Sequence, residues 1–375
     1  MIGLLIGLFT VLAVTQTYLA WGEQHRTIVA KNDAQTTVTL AAYAIDQDLR
    51  QAAQGFGSAM TSDPMDFADA VAGCPVSGTA LAGGATTPIQ FLMQGLQIID
   101  GGAGGAPDQI VSTYGSSDFR VFPERIVVQS GTVKRVMNAS GMHAGDVVVL
   151  ALDGAGSACL LAEISSTDPA LLLTDKAFAI QTGNYQSFYK PLGSTSVAMF
   201  NQAGGTGATN YHTVYDLGPT PQVNRWEIGV AAPMNPVLQK TPLLPVDGNF
   251  VPTREVAEGI VNLQAQYGYD SNGDGRIDAG EWVDADSTTS APSIGGATPV
   301  WRRVLAVRYA ILARNRNYEA PPFSAPNPVW AGGRFTMTDI GGNADTNPSS
   351  PLNWRNYRYS VYESVVPMRN MLWGQ

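Results

Sequence analysis

"MIGLLIGLFTVLAVTQTYLAWG", Met1 to Gly22, contains no charged side chain. As a helix rising about 1.5 Å per residue it reaches about 33 Å, close to the thickness of one bilayer core. The stretch therefore reads as the membrane-spanning half of a helix. A cleaved signal peptide would open on positive charge and close on small residues, whereas no charge precedes this run and Tyr18 to Trp21 end it. A buried helix of a soluble core seldom runs this far without a polar face.

No glycine or proline stands between Gly22 and Gly55, and the pattern there turns amphipathic. Ile28, Val38, Ala41, Ile45, Leu49 and Ala52 keep near-helical spacing, with Arg26, Lys31, Asp33, Asp46, Asp48 and Arg50 mostly off that stripe. Gly55–Phe56–Gly57 supplies a C-terminal stop. One helix of about 53 residues and about 80 Å is expected, residues 1–22 suited to lipid and 23–54 to packing on a head.

The 375-residue chain is 45% hydrophobic but only 14% charged, against the usual ~25%, which favours loops and strands over surface helices. Strand-like runs follow the helix: "IQFLMQGLQII", "QIVSTY", "RIVVQSGTVKRVM", "DVVVLAL", "CLLAEIS", "ALLLT", "SVAMFNQ" and "NRWEIGV". "GTALAGGATTP" and "DGGAGGAP" read as surface loops. Pro233, Pro236, Pro242, Pro245 and Pro252 mark a connector, so the head divides softly into residues 55–250 and 251–375. In the second part "TREVAEGIVNLQ" is expected to start helical, and "RVLAVRYAILAR" and "YRYSVYESVV" to be strands. The tyrosines of that last strand suit sheet propensity better than a stacking platform for single-stranded DNA or glycans. The fold class expected is α+β, a long helix packed on a mainly antiparallel β head.

"DSNGDGRIDAGE", Asp270 to Glu281, places oxygen ligands at loop positions 1 (Asp270), 3 (Asn272), 5 (Asp274), 9 (Asp278) and 12 (Glu281). Gly275 stands at position 6, the Arg276 backbone carbonyl at 7 and Ile277 at 8. Alternating hard oxygens let a short chain wrap one Ca²⁺, which takes more protein ligands than Mg²⁺ does. The competing reading is a bare Asp/Asn/Gly turn between strands. A sensor EF-hand is disfavoured because "VDADSTTSAPSIGG" cannot sustain an exit helix, and Asp284 or Asp286 could then replace Glu281.

A net charge of −9 disfavours nucleic acid as a partner. From Trp301 onward nine arginines face four acids, a surplus better read as a solvated or subunit-contacting face than as DNA contact. His25, His143 and His212 are isolated, and no HExxH, GxSxG or P-loop appears, so no enzyme is expected. Cys74 and Cys159 form no CxxC pair; they are disulfide candidates outside a reducing compartment and two free thiols within one.

Three stretches carry a family resemblance: residues 1–57, "EGIVNLQAQYGYDSNGDGRIDAGEW" leading to "WRRVLAVRYAILAR", and "WRNYRYSVYESVVPMRNMLWG". In that order they resemble the PilW-type minor pilins of type IV pili. The resemblance implies a helix held in the inner membrane before assembly and in the filament core afterwards, with a periplasmic head that ends at the pilus tip. It implies other minor pilins, the major pilin and tip or assembly proteins as partners, in twitching, adhesion or DNA uptake, the last being the one setting in which nucleic acid becomes a partner. A basic leader, a cleavage Gly, a Phe and a Glu are expected just upstream of Met1. Two rivals remain, a minor pseudopilin of type II secretion and a calcium-dependent tip adhesin.

Overall fold

The computed structural model describes residues 2–56, 73–82, 85–102, 104–117, 123–131, 133–151, 159–166, 177–180, 211–232, 235–244, 251–295, 300–319, 326–337 and 350–372. The strands expected at "ALLLT" and "SVAMFNQ" lie outside these residues.

The chain opens with helix α1 (Ile2–Gln51). Its second half buries Ala34, Val38, Ala41, Ile45 and Leu49, each 6% exposed or less. Spacings of three and four place them on one stripe, and each large aliphatic so covered contributes about 1 to 3 kcal/mol. The helix stops where the strand Gln109–Tyr114 captures its end. Ala53 takes a left-handed φ of 66°, its N–H donates to Thr113 O at 2.8 Å, and Gly115 N–H donates to Gln54 O at 2.8 Å. Asn370 Nδ2 caps the carbonyls of Gln51 and Ala52.

Nineteen strands follow among the described residues. β1 (Cys74–Ala82) and β2 (Ala85–Met93) pair from Cys74↔Met93 to Ala82↔Ala85. Residues 78–82 and 85–88 of "GTALAGGATTP" are thus strand rather than loop, because ladder pairing asks only for backbone donors and acceptors. β3 (Leu96–Ile99), β4 (Gln109–Tyr114), β11 (Gln222–Ala232), β12 (Asn235–Pro242) and β13 (Arg254–Glu258) make a sheet ordered β13-β12-β11-β4-β3. Inserted between β4 and β11 is a closed six-stranded barrel: β5 (Glu124–Ser130), β6 (Val133–Val136), β7 (Val147–Ala151), β8 (Leu160–Ser166), β9 (Ala177–Ile180) and β10 (Thr213–Gly218). Its core, including Ile126, Val148, Leu150, Ile164 and Phe178, forms a cluster of its own. β14 (Ile260–Tyr269), β15 (Trp282–Val283), β16 (Val304–Arg314) and β19 (Tyr359–Pro367) form a sheet ordered β15-β14-β16-β19. A short hairpin, β17 (Val329–Trp330) and β18 (Gly333–Arg334), lies between β16 and β19 in sequence, and a final turn of helix, α2 (Arg369–Leu372), ends the described chain.

Several expectations are corrected here. Where a helical start is expected at Thr253, strand β13 begins at Arg254, pairs with β12 and stops at Glu258, before Gly259, whose φ is 78°. Strand β12 contains Pro236 and Pro242 and pairs with β13. The α+β class, a membrane-suited helix on one β head, gives way to a mainly β protein with a closed barrel and four further sheets. Among the described residues no helix is long and apolar enough to cross a membrane, so the single-pass inner-membrane placement is also corrected. Thr15, Gln16 and Thr17 interrupt the apolar run after Val14, leaving about 20 Å of helix against a core of about 30 Å.

Candidate functional site

The acidic loop is the hairpin connection between β14 and β15, whose register is Tyr267↔Val283 and Gly268↔Trp282. Asp270, 1% exposed, organises it. Its Oδ1 accepts from Gly273 N at 2.6 Å and Asp274 N at 3.2 Å, and its Oδ2 accepts from Gly275 N at 2.8 Å. Gly273 and Gly275 supply φ values of 79° and 78°, which a side chain would resist. Asn272 Oδ1 accepts from Asp274 N at 2.8 Å, and Asp274 Oδ1 accepts from Arg276 N at 2.9 Å.

Glu281 closes the loop from its far end. Its Oε1 accepts from Ser271 N at 2.9 Å and Ser271 Oγ at 2.6 Å, while Oε2 accepts from Asp278 N at 3.0 Å. The Asp278 N–H, followed by the Ser271 hydroxyl, holds this carboxyl below its ordinary range. A 3-10 turn, Ala279–Glu281, leads straight into Trp282. Ile277 seats the loop on the sheet, since a Cβ at Gly268 would stand 3.1 Å from its Cγ1. Asp284 is turned away to Gln266 Nε2 at 2.6 Å, and Asp286 to the amides of Thr288 and Thr289.

The donor chemistry of Asp270, Asn272, Asp274, Asp278 and Glu281 suits a hard cation. In this structure the oxygens of Asp270, Asn272, Asp274 and Glu281 accept backbone N–H groups, and among the described residues no group of three or more His, Cys, Asp or Glu is arranged to hold a metal ion. Cys74 and Cys159 are disulfide-bonded, with Cα atoms 5.8 Å apart, and tie the β1–β2 hairpin to the barrel. His143 Nδ1 lies 3.6 Å from Asp146 Oδ2, and the His212 carbonyl accepts from Ile126 N. The side chain of His25 lies outside the described residues.

Four of the nine C-terminal arginines are engaged within the fold. Arg308 stacks between Trp282 and Trp330 at 4.8 and 5.7 Å, and Arg314 lies 4.2 Å over Tyr357. Arg358 pairs with Glu319 at 2.9 Å, and Arg316 pairs with Glu258.

Sequence reasoning missed the pair of carboxylates that docks the helix. Asp46 Oδ1 accepts from Tyr309 Oη at 2.6 Å and from Ser364 Oγ at 3.2 Å, reaching β16 and β19. Asp48, 5% exposed, turns to the other sheet. Its Oδ2 accepts from Ser112 Oγ and Trp226 Nε1, both at 2.9 Å. Its Oδ1 accepts from Tyr114 Oη and Lys240 Nζ, both at 2.9 Å, and from Asn224 Nδ2 at 3.3 Å. Burial, then the Asp48 charge, pushes the Tyr114 hydroxyl up, so it stays a donor. At about 100° per residue these two acids bound the buried arc of the helix on either side. Position 48 falls between Ile45 and Leu49, and that placement was the available signal.

The first half of α1 presents the opposite picture. Ile6, Leu8, Phe9, Val11, Leu12, Val14 and Tyr18 are each between 51% and 73% exposed. The hydroxyls of Thr10, Thr15 and Thr17 donate back to the carbonyls four residues earlier, at 2.7 to 2.8 Å.

Helix, sheets and barrel define a mainly β protein carried on one long helix and fitted with an oxygen-rich hairpin loop. Residues 226–370 match the model of the PilW family, described as Type IV Pilus-assembly protein W. That stretch, from β11 to α2, is similar to the PilW family, and the likeness supports involvement in type IV pilus assembly. No curated protein and no solved structure matches the chain.

Proposed function

We propose that this chain is a minor pilin that takes part in initiating type IV pilus assembly, as a component of the pilus or its tip complex, and that it acts by binding subunits rather than by catalysis. The observation that carries this reading is the exposed apolar row from Ile6 to Tyr18, continuous with a second helix half that Asp46 and Asp48 fasten to the head. Other minor pilins and the major pilin are the partners that would cover this row. Each aliphatic side chain so buried would contribute about 1 to 3 kcal/mol.

Calcium belongs to the same proposal. Asp270, Asn272, Asp274, the Arg276 carbonyl, Asp278 and Glu281 would hold one Ca²⁺, whose charge would pin the β14–β15 connection. An ion that binds only the folded head stabilises it by mass action. Asp270, already fixed by three backbone amides, would be the anchoring ligand.

Pilus counts on cells lacking the chain, complemented with wild type or with a Phe9→Asp/Leu12→Asp variant, test the reading. Few pili are expected without the chain and with the variant, and restored pili with wild type. Normal piliation in its absence overturns the proposal; normal pili with lost protein secretion would assign the chain to a type II secretion pseudopilus instead.

A further inference from the structure

Cys74 is the first residue of β1, and Cys159 stands one residue before β8. The backbone reinforces their disulfide: Cys159 N donates to Pro75 O at 3.2 Å, and Val76 and Cys159 form an isolated parallel bridge. The bond joins the β1–β2 hairpin to a barrel that has a core cluster of its own. Both cysteines nevertheless lie in the main core, 0% and 1% exposed, together with Val76, Phe91, Met93 and Leu161.

A cover for this site comes from a later part of the chain. Trp301 belongs to the 3-10 turn Trp301–Arg303, which leads into β16. A Cβ on Gly73 would overlap its indole, so the ring rests directly on the residue before Cys74. Gly73 is fixed there at a φ of 81° by its N–H, which donates to Met93 O at 2.9 Å. Trp301 is 9% exposed, belongs to the same core cluster as both cysteines, and meets the Tyr267 ring edge-on at 5.9 Å.

Making the bond removes two protons and two electrons from two thiols. The thiolate of one cysteine attacks a sulfur of a disulfide-bearing donor, giving a mixed disulfide and one donor thiolate. The thiolate of the second cysteine then displaces the donor, which leaves as a dithiol and keeps the two electrons. Each attack depends on access to a sulfur. Sulfurs packed inside the main core give a donor no such approach.

We propose that Trp301 and the sheet that carries it form a cover over the Cys74–Cys159 bond, so that oxidation by a disulfide donor precedes closure of this part onto the hairpin. While the cover is closed, the head neither makes nor loses the bond. Heating toward the melting transition opens the cover, and reductant then removes the bond.

Reduction of the oxidised full chain by dithiothreitol, with freed thiols trapped by alkylation and counted by mass spectrometry, tests the order of events. The native wild type is expected to release thiols at least ~100-fold more slowly than the chain in urea, since only opening admits the reductant. Trp301→Ala should speed native release by at least ~10-fold. Phe178→Leu, which loosens the barrel's own core and leaves the cover in place, should speed it less. In the forward direction, oxidised glutathione should form the bond when added to the reduced chain before refolding and should not when added afterwards. Native wild type that frees its thiols as fast as in urea overturns the proposal. So does equal acceleration by Trp301→Ala and Phe178→Leu, or oxidation of the refolded reduced chain at the unfolded chain's rate.

Discussion

Asp48 Oδ1 and Lys240 Nζ stand 2.9 Å apart, one on helix α1 and the other on β12, 192 residues later in the chain. Four further donors from β4 and β11 converge on the same carboxylate. Removing one partner of a buried, hydrogen-bonded charge leaves the others unpaired, at a cost of about 3 to 5 kcal/mol. Asp48→Ala is expected to lower the denaturant midpoint of the full chain by that order. Lys240→Met should cost less, because the Lys240 side chain is 28% exposed and four donors remain on Asp48.

Burial pushes the Asp108 carboxyl up to about 6, opposed by the N–H groups of Gly101 and Ala265 and reinforced by the nearby charges of Asp100 and Asp284. Asp108 joins the β3–β4 hairpin to β14 through Ala265 N at 2.8 Å. A folded pKa above the ordinary value favours the folded state at low pH, and that contribution is lost as pH rises through about 6. The wild type should therefore lose about 2 kcal/mol relative to Asp108→Asn between pH 4 and pH 7, read from urea midpoints across that range. Parallel pH profiles would contradict it.

The Cys74–Cys159 disulfide closes a long loop, with a sequence separation of 85. Chain entropy sets its contribution at no more than about 4 to 5 kcal/mol. The Cys74→Ala/Cys159→Ala variant should melt lower than the oxidised chain, and the difference should vanish when both are measured in reductant.

Asp274→Ala should lower the melting temperature in calcium and change it little in EGTA, because Asp274 is exposed and its carboxylate serves mainly the loop. Asp270→Ala should lower it in both, since three backbone amides lose their acceptor. Equal melting of the wild type in calcium and EGTA would remove the metal from the proposal.

The parts legible in the sequence were those with strong periodicity. Val38, Ala41, Ile45, Leu49 and Ala52 lie on the buried stripe, "QIVSTY" and "DVVVLAL" contain β4 and β7, and "CLLAEIS" covers β8 up to its last residue. Where long-range pairing overrides local preference, the sequence misled. Residues 254–258 have helix-compatible side chains but complete the edge of a sheet, and the Gly/Thr-rich segment after Cys74 pairs as a strand of a hairpin. Closure of the barrel depends on contacts such as Thr213↔Ala151 and Thr213↔Arg125, which no local pattern encodes. At the acidic loop the Gly and Asp spacing marked a turn, whereas the placement of Glu281 onto Ser271 and Asp278 depends on folded geometry.

Quantitative mass spectrometry of purified pili tests the central claim most directly, comparing cells that produce the wild-type chain with cells that produce Phe9→Asp/Leu12→Asp. The account expects the wild-type chain in the pili at a small fraction of the major subunit and the variant nearly absent, although it folds and accumulates in the cells. Pili that lack the wild-type chain, or that take up the variant equally well, would contradict it.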